Sequence, residues 1–205
     1  MKSIAFMSQK GGSGKTTLAV HVAVAAAAAG EKVVLIDTDP QASATAWADA
    51  RRESAIQHVA IGTSELEEVL EAARADGVTL ALIDTAPHAA PGATKATAAA
   101  DFVVIPCRPS AFDLGAAGAA LGITRAAKRR AAFVLNACPA RAPETAEARR
   151  ALRDLGEDVA PIAVGDRRAF SRAVASGQAV TEFDADGKAA REIRALWKWI
   201  KEKLA

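Results

Sequence analysis

The segment Gln9-Lys10-Gly11-Gly12-Ser13-Gly14-Lys15-Thr16-Thr17 decides the reading of this chain. It follows a short apolar run, Ile4–Ser8, and opens a long Ala-rich stretch, Lys15–Ala29. A strand, a glycine-rich turn and a helix in that order make a cradle for phosphate. Glycines let the backbone wrap phosphate oxygens and turn its N–H groups inward. The helix that begins near Lys15 adds its positive end. Gly11, Gly12, Ser13, Gly14 and Thr17 are therefore expected around the phosphates. Lys15 should reach the β- and γ-phosphates of ATP, and the Thr16 hydroxyl should meet Mg²⁺. The strict pattern G-x-x-x-x-G-K-[ST] is not met, because Gln9 stands where it wants glycine and a second lysine, Lys10, precedes the glycines.

Outward from this loop, apolar runs alternate with helical stretches. After Ile4–Ser8 the runs are Val33–Ile36, His58–Ile61, Leu80–Ile83, Phe102–Pro106, Ala132–Leu135 and Val159–Val164. They are short, rich in β-branched residues and lack period-2 alternation, as strands buried on both faces do. Between them the sequence predicts helices over Lys15–Ala29, Ala42–Arg52, Glu65–Ala75, Gly92–Ala99, Leu114–Ala127, Glu144–Leu155, Phe170–Ser176 and Ala189–Leu204. Alanine favours helix, and Gly30 suits the C′ position that ends the first one. Such alternation predicts an α/β fold: a three-layer sandwich with a mainly parallel sheet of about seven strands, helices on both faces, and residues 1–205 as one domain. Ligands of such sheets bind at the carboxyl ends of strands.

Composition sets the outer limits. The chain has 205 residues, of which 51% are hydrophobic and 24% charged, a globular balance with ample core. Tyr is absent, so the core is built from Ala, Val, Leu and Ile. A net charge of +2 does not by itself imply a polyanion partner. Cys107 and Cys138 have neither disulfide-framework nor zinc spacing and read as reduced thiols in a cytoplasmic protein. No secretory leader can be fitted at Met1, and no long apolar segment is free of polar breaks.

Several polar residues fall just after the apolar runs. Leu82-Ile83-Asp84 has the form of a Walker B strand end, so Asp84 is a candidate Mg²⁺ holder acting through water. Asp37 and Asp39 follow the second run in Asp37-Thr38-Asp39-Pro40-Gln41. Taken alone, Asp37 is also a plausible loop or N-cap acid. Asn136 follows the sixth run, where it could pair both donor and acceptor with a base or simply form a turn.

Together these motifs resemble the ParA/MinD family of ATPases, whose phosphate loop is the deviant Walker A box carried here by Lys10-Gly11-Gly12-Ser13-Gly14-Lys15-Thr16. The resemblance covers nearly the whole chain, with its specific motifs in the first 115 residues, and is nearest to small ParA-type partition ATPases without an N-terminal helix-turn-helix domain. It implies that Lys10 crosses a dimer interface to the partner's ATP. It also implies that Asp39 orients the attacking water and contributes near the metal, that Asp37 supports the site, and that Asn136 faces adenine. Gly165-Asp166-Arg167-Arg168 and the stretch from Arg172 to Val180 resemble the segment closing the adenine pocket, which makes Asp166 and Arg167 nucleotide-binding candidates. The segment Val104–Ser110 with Phe112-Asp113-Leu114 resembles a family stretch read as scaffold and dimer-facing surface. Ala86 departs from the family's first proline in Asp84-Thr85-Ala86-Pro87.

The family reading further implies an ATPase needing ATP and Mg²⁺. It implies an ATP-dependent homodimer, non-specific DNA as a partner through phosphate contacts, and a small ParB-like or other stimulating protein. The location would be cytoplasmic and nucleoid-associated when ATP-bound. Candidate DNA contacts are Arg167, Arg168, Arg172, Lys198 and Lys201, although solvated helix faces would look the same. A MinD-like membrane role through the amphipathic stretch Ala190–Leu204 is the alternative, but that stripe has the width of one that packs on a sheet. An iron–sulfur carrier using Cys107 and Cys138 and a biosynthetic synthetase of the same fold fit the residues less well.

Overall fold

The apolar runs become strands in one sheet. In a computed structural model, which describes residues 1–51, 56–87 and 91–205, the elements run in the following order: β1 (Lys2–Phe6), α1 (Lys15–Ala28), β2 (Val33–Asp37), α2 (Ser43–Asp49), β3 (Ile56–Ala60), α3 (Leu66–Ala75), β4 (Leu80–Asp84), α4 (Pro91–Ala99), β5 (Phe102–Cys107), α5 (Ala111–Ala126), β6 (Arg130–Leu135), α6 (Pro143–Asp154), β7 (Asp158–Val159), α7 (Arg168–Ala175), α8 (Val180–Phe183) and α9 (Lys188–Leu204). The strand order is β3-β2-β4-β1-β5-β6-β7, and every pairing is parallel.

The central strands are buried on both faces, which is why their sequences do not alternate. Along β1, Ile4 and Phe6 join one apolar cluster with α1, α2, α7, α8 and α9. Ala5 joins a second cluster with α3 and α4, and the β5 and β6 residues Val103, Ile105 and Phe133 pack with α5 and α6. Three layers result, as expected. Ile193, Leu196, Trp197, Ile200 and Leu204 of α9 are all buried against the first cluster. The amphipathic stripe of this helix therefore faces the core.

Two expected boundaries move for a clear local reason. The run Val159–Val164 is strand only at Asp158–Val159. Pro161 has no N–H for a ladder, and the rest of the run is tied to β6 by Ala160 N–H on the Phe133 carbonyl (2.9 Å) and Val164 N–H on the Leu135 carbonyl (2.9 Å). The α5 helix starts at Ala111 rather than Leu114 because Ser110 caps it, its Oγ accepting the Asp113 N–H. The short α8 was not anticipated. Arg52, the expected end of the second helix, lies outside the described residues. Gly30, at φ 91°, ends α1 as expected: its N–H bonds the Ala27 carbonyl while Glu31 N–H reaches the Ala26 carbonyl.

One polar group sits inside the first cluster. His21, on α1, is fully buried. Its Nδ1 accepts the Val180 N–H of α8 (3.2 Å), and its ring stands edge-on to Phe170 of α7, with centroids 5.1 Å apart. Burial pushes its pKa down to about 3, against a smaller opposite pull from the Glu182 carboxylate. The folded chain therefore holds the ring neutral while the unfolded chain takes a proton near the ordinary value of 6.5. Between those values the unfolded state binds more protons, so stability contributed here is fully present above 6.5 and is lost as pH falls toward 3. His21→Gln should flatten the decline in urea-unfolding midpoint between pH 7 and pH 5. An unchanged slope would contradict the neutral buried ring.

Candidate functional site

The carboxyl ends of β1, β2, β4 and β6 converge on a cleft of about 710 Å³. In the sheet, β1 lies between β4 and β5, with Phe6 level with Asp84. The chain leaves β1 as the glycine loop and enters α1. Gly14 takes the N-cap position in the left-handed region, at φ 99°. The first turn of α1 has no side-chain cap and no acidic residue, so its backbone N–H groups remain available to an anion. Gly14 has a second constraint: a Cβ there would lie 1.9 Å from Asn136 Nδ2.

Asn136 explains that closeness. It is buried, and its Nδ2 donates to the Ser13 carbonyl at 2.8 Å, fastening the loop to the end of β6. Asn136 also borders the cleft. One amide hydrogen and the side-chain oxygen are left over for a ligand. Ser13 is buried too, and its Oγ has no hydrogen-bond partner among the described residues.

Below the loop lies the charged floor. Lys15 is buried; burial lowers its pKa, while the Asp84 and Asp39 carboxylates act the other way. Thr16 Oγ1 donates to Asp84 Oδ2 at 2.6 Å. Asp84 is fully buried, and its Oδ1 has no partner among the described residues. Burial is the main cause that pushes its pKa up to about 7, with the Asp37 carboxylate adding to it and the Thr16 bond opposing it. A buried carboxylate oxygen without a partner, beside a threonine hydroxyl at the mouth of a phosphate loop, is a donor set suited to a hard divalent cation. The residues present therefore fit Mg²⁺.

Asp37 and Asp39 divide their work. Asp37 is buried and accepts Asp39 N–H at 3.1 Å, Thr45 N–H at 2.9 Å and Thr45 Oγ1 at 3.2 Å. It thus caps α2 from a distance and fixes the backbone that carries Asp39. Asp39 borders the cleft, and its Oδ1 accepts the Gln41 N–H at 3.0 Å, which leaves Oδ2 for a water or ligand.

Of the other candidates, Gly11, Gly12, Thr17, Asp166, Arg167 and Arg168 border the same cleft. Arg172 does not; its guanidinium lies over Phe183, 5.3 Å from the ring centroid. Lys198 and Lys201 line a separate groove of about 630 Å³ beside the carboxyl end of α1, and Lys201 pairs with Glu31 at 2.7 Å. The five candidate DNA contacts are thus not one patch. Cys107 is buried in β5, and burial pushes its thiol up to about 12.

Two contacts were not foreseen. Lys10 Nζ sits 2.6 Å from Asp113 Oδ2 at the start of α5, and Ser110 Oγ donates to the same oxygen at 2.5 Å. Asp113 is 4% exposed while the Lys10 side chain is 41% exposed. The pattern Ser110-x-x-Asp113 is a helix-start signature and could have marked this acid, though not its lysine. Glu192 of α9 holds Arg167 by a forked pair, Nη2 to Oε1 at 2.5 Å and Nε to Oε2 at 3.3 Å. No local pattern announces a partner so distant in sequence.

Comparison with known proteins gives a consistent family. Residues 4–180 match the model of the CobQ/CobB/MinD/ParA nucleotide-binding domain. The maintenance of carboxysome distribution protein A of Gloeobacter kilaueensis is 32% identical over 205 residues, covering 98% of this chain and 93% of that protein. The chromosome-partitioning ATPase Soj of Thermus thermophilus is 33% identical over 148 residues, 58% of this chain and 59% of that protein. Among solved structures, the MinD cell-division ATPase of Pyrococcus furiosus superposes with a TM-score of 0.82 at 20% identity, covering 100% of this chain and 99% of that one. An ATP complex of a Cyanothece McdA variant superposes with a TM-score of 0.81 at 17% identity, over 100% and 96% of the two chains. At those identities the structures speak for the fold alone, a P-loop α/β sandwich. The family model covers most of the sequence and one relative aligns along nearly all of it, and on that footing the chain belongs to the CobQ/CobB/MinD/ParA family of nucleotide-binding proteins.

Proposed function

We propose that residues 1–205 form one ATPase domain that pairs with a second copy in an ATP-dependent manner, binds DNA without sequence preference, and positions a cargo through partner-stimulated hydrolysis. The cargo class is a DNA molecule or a protein assembly. A carboxysome-distribution protein and partition ATPases among the relatives support that breadth. One observation carries the reading. Lys10, the additional lysine ahead of the glycines, does not border its own cleft among the described residues; it is parked on Asp113 and remains 41% exposed. A cation so placed suits a phosphate brought by another copy, where it would offset charge developing on the transferred group.

Within one copy, the triphosphate lies over the first turn of α1 with Lys15 on its β- and γ-oxygens. Thr16 and Asp84 would hold Mg²⁺, which supplies charge neutralisation between those phosphates when bound. Asp39 orients the water that attacks the γ-phosphorus, and Asp37 keeps Asp39 in place. Phosphorus–oxygen cleavage then releases ADP and inorganic phosphate. Asn136, Asp166 and Arg167 border the same cleft, and this reading sets the base beside them. Nucleoid association of the ATP-bound pair follows from the DNA reading.

Three variants separate the roles. Lys15→Ala should weaken ATP binding by about 10- to 100-fold, the loss expected for a charge-assisted contact. Lys10→Ala should keep ATP affinity within a few-fold yet abolish ATP-dependent dimerisation in light scattering. Asp39→Ala should dimerise with ATP but turn it over slowly. A Lys10→Ala protein that dimerises and hydrolyses normally would sink the cross-subunit role.

DNA and membrane are told apart by co-sedimentation with ATP, with ADP and without nucleotide. Retention on DNA with ATP alone is expected, falling as salt rises from 50 to 200 mM because phosphate contacts release counterions. Retention on anionic lipid vesicles and not on DNA would overturn the choice. The buried stripe of α9 argues against that outcome.

A further inference from the structure

The loop between β7 and α7 walls the base end of the cleft yet has almost no regular structure of its own. Its backbone is tied inward at Cys138, whose N–H bonds the Val164 carbonyl at 3.0 Å and whose carbonyl accepts the Asp166 N–H at 2.8 Å. Cys138 stands two residues beyond Asn136, so this tie runs to the same strand end that fastens the glycine loop. Outward, Gly165 and Arg167 are tied to α9. Glu192 Oε2 accepts the Gly165 N–H at 3.1 Å, and both its oxygens take the Arg167 fork. The Arg167 guanidinium lies so close over Gly165 that a Cβ there would meet it at 3.0 Å.

A single carboxylate thus satisfies one backbone N–H and one guanidinium, and it comes from α9, 27 residues away. Charge-assisted, forked pairs of this kind are strong and fix geometry. The same interaction occupies Arg167 and raises its pKa, with the Glu192 hydrogen bond as the largest cause. Arg167 is therefore less available to a DNA phosphate than its neighbour Arg168, which is exposed on the same cleft. The helix that supplies Glu192 buries one face in the core and carries Arg194, Lys198 and Lys201 along the distal groove.

We propose that Glu192 is a positioning residue of the nucleotide site: through Gly165 and Arg167 it holds the base-end wall, and through it occupancy of the cleft reaches α9. The proposal rests on the reading of the cleft as an ATP site. Because Glu192 acts at the base end, its loss weakens ATP and ADP alike, whereas a phosphate-end contact would discriminate between them. Glu192→Gln keeps an oxygen for the Gly165 N–H but gives up the charge that holds Arg167. Glu192→Ala gives up both, so the two variants should form a graded series.

The test is amide hydrogen exchange and nucleotide titration on the full chain. In the native protein, ADP or a non-hydrolysable ATP analogue should slow exchange in residues 164–168 and in the first turns of α9. In Glu192→Gln, affinity for both nucleotides should drop about tenfold, the loop should exchange faster than in the native chain, and the α9 response should vanish; Glu192→Ala should go further. Ile200→Ala loosens the same helix from the core without touching the loop, and should lower the melting midpoint while leaving nucleotide affinity in place. Unchanged affinity and an intact α9 response in Glu192→Gln would overturn the proposal. So would an equal loss of affinity in Ile200→Ala, which would reduce Glu192 to a stabilising residue. If the native chain binds neither nucleotide, the ATP-site reading fails. The strut itself is then still judged by loop exchange in Glu192→Gln without ligand, where an unchanged rate refutes it.

Discussion

A carboxylate buried at the floor of the cleft is the constraint around which the rest is arranged. Asp84 is fully buried, one oxygen is matched by Thr16 and the other by nothing among the described residues. Leaving such a group without a partner costs free energy comparable to a lost charged hydrogen bond. The fold tolerates it because its surroundings are fixed by bonds that do not involve the free oxygen. Thr38 donates both its N–H (3.0 Å) and its Oγ1 (2.8 Å) to the Asp84 backbone carbonyl, and Thr85 Oγ1 donates to the Phe6 carbonyl at 2.8 Å. The ends of β1, β2 and β4 are thereby locked around the carboxylate. Lys15 and Thr16 arrive on α1, which leaves β1 through the glycine loop. A carboxylate held this rigidly cannot relax to satisfy itself within the chain, and this is the property a metal-dependent phosphate site requires.

Most of this was legible in the sequence because it is local. Residues that act through their own turn, such as Gly14, Lys15 and Thr16, sit in a fixed order that a strand–loop–helix context makes readable. Asp84 was legible for the same reason: a strand of five apolar or buried residues has one place for an acid, its carboxyl end. The central strands β1, β2, β4, β5 and β6 were readable because burial on both faces removes most polar residues from them. The failures lie where a partner comes from far along the chain. Asp113 and Glu192 look like ordinary helix acids, and only the packing of α5 and α9 against the strand ends brings them to Lys10 and Arg167. The shortened β7 is a milder case, since Pro161 was visible and its missing N–H sufficed to end the ladder.

The same packing redistributes the basic residues. Counted along the sequence, arginines and lysines cluster in the last forty residues or so, and that invites a single polyanion surface. In space many are already engaged: Arg167 with Glu192, Lys201 with Glu31, Lys203 with Asp158 at 2.6 Å, and Arg194 with the Ala185 carbonyl. Unlike the part-buried fork of Arg167 on Glu192, the exposed pairs of Lys201 and Lys203 contribute little to stability and can exchange partners at small cost. Lys10 belongs to the same class at the other end of the molecule, with the difference that its partner is buried. A lysine that leaves Asp113 strands a carboxylate for which, among the described residues, Ser110 is the remaining side-chain partner. Its release therefore carries a cost that a surface pair does not.

That asymmetry bears on how the cleft could report its contents. The glycine-loop side of the cleft is pinned at the ends of central strands, by Asn136 on Ser13 and by Asp84 on Thr16. Residues 160–167, between β7 and α7, are held by Phe133, Leu135 and Cys138 on the sheet side and by Glu192 on the helix side. Ala160 and Val164 anchor that loop in the core while Asp166 is exposed, and segments with few buried apolar contacts are the ones that open locally. A ligand can shift an equilibrium only by interacting differently with its two states. In the reading proposed above, Asp166 and Arg167, which border the cleft, are where that difference would arise.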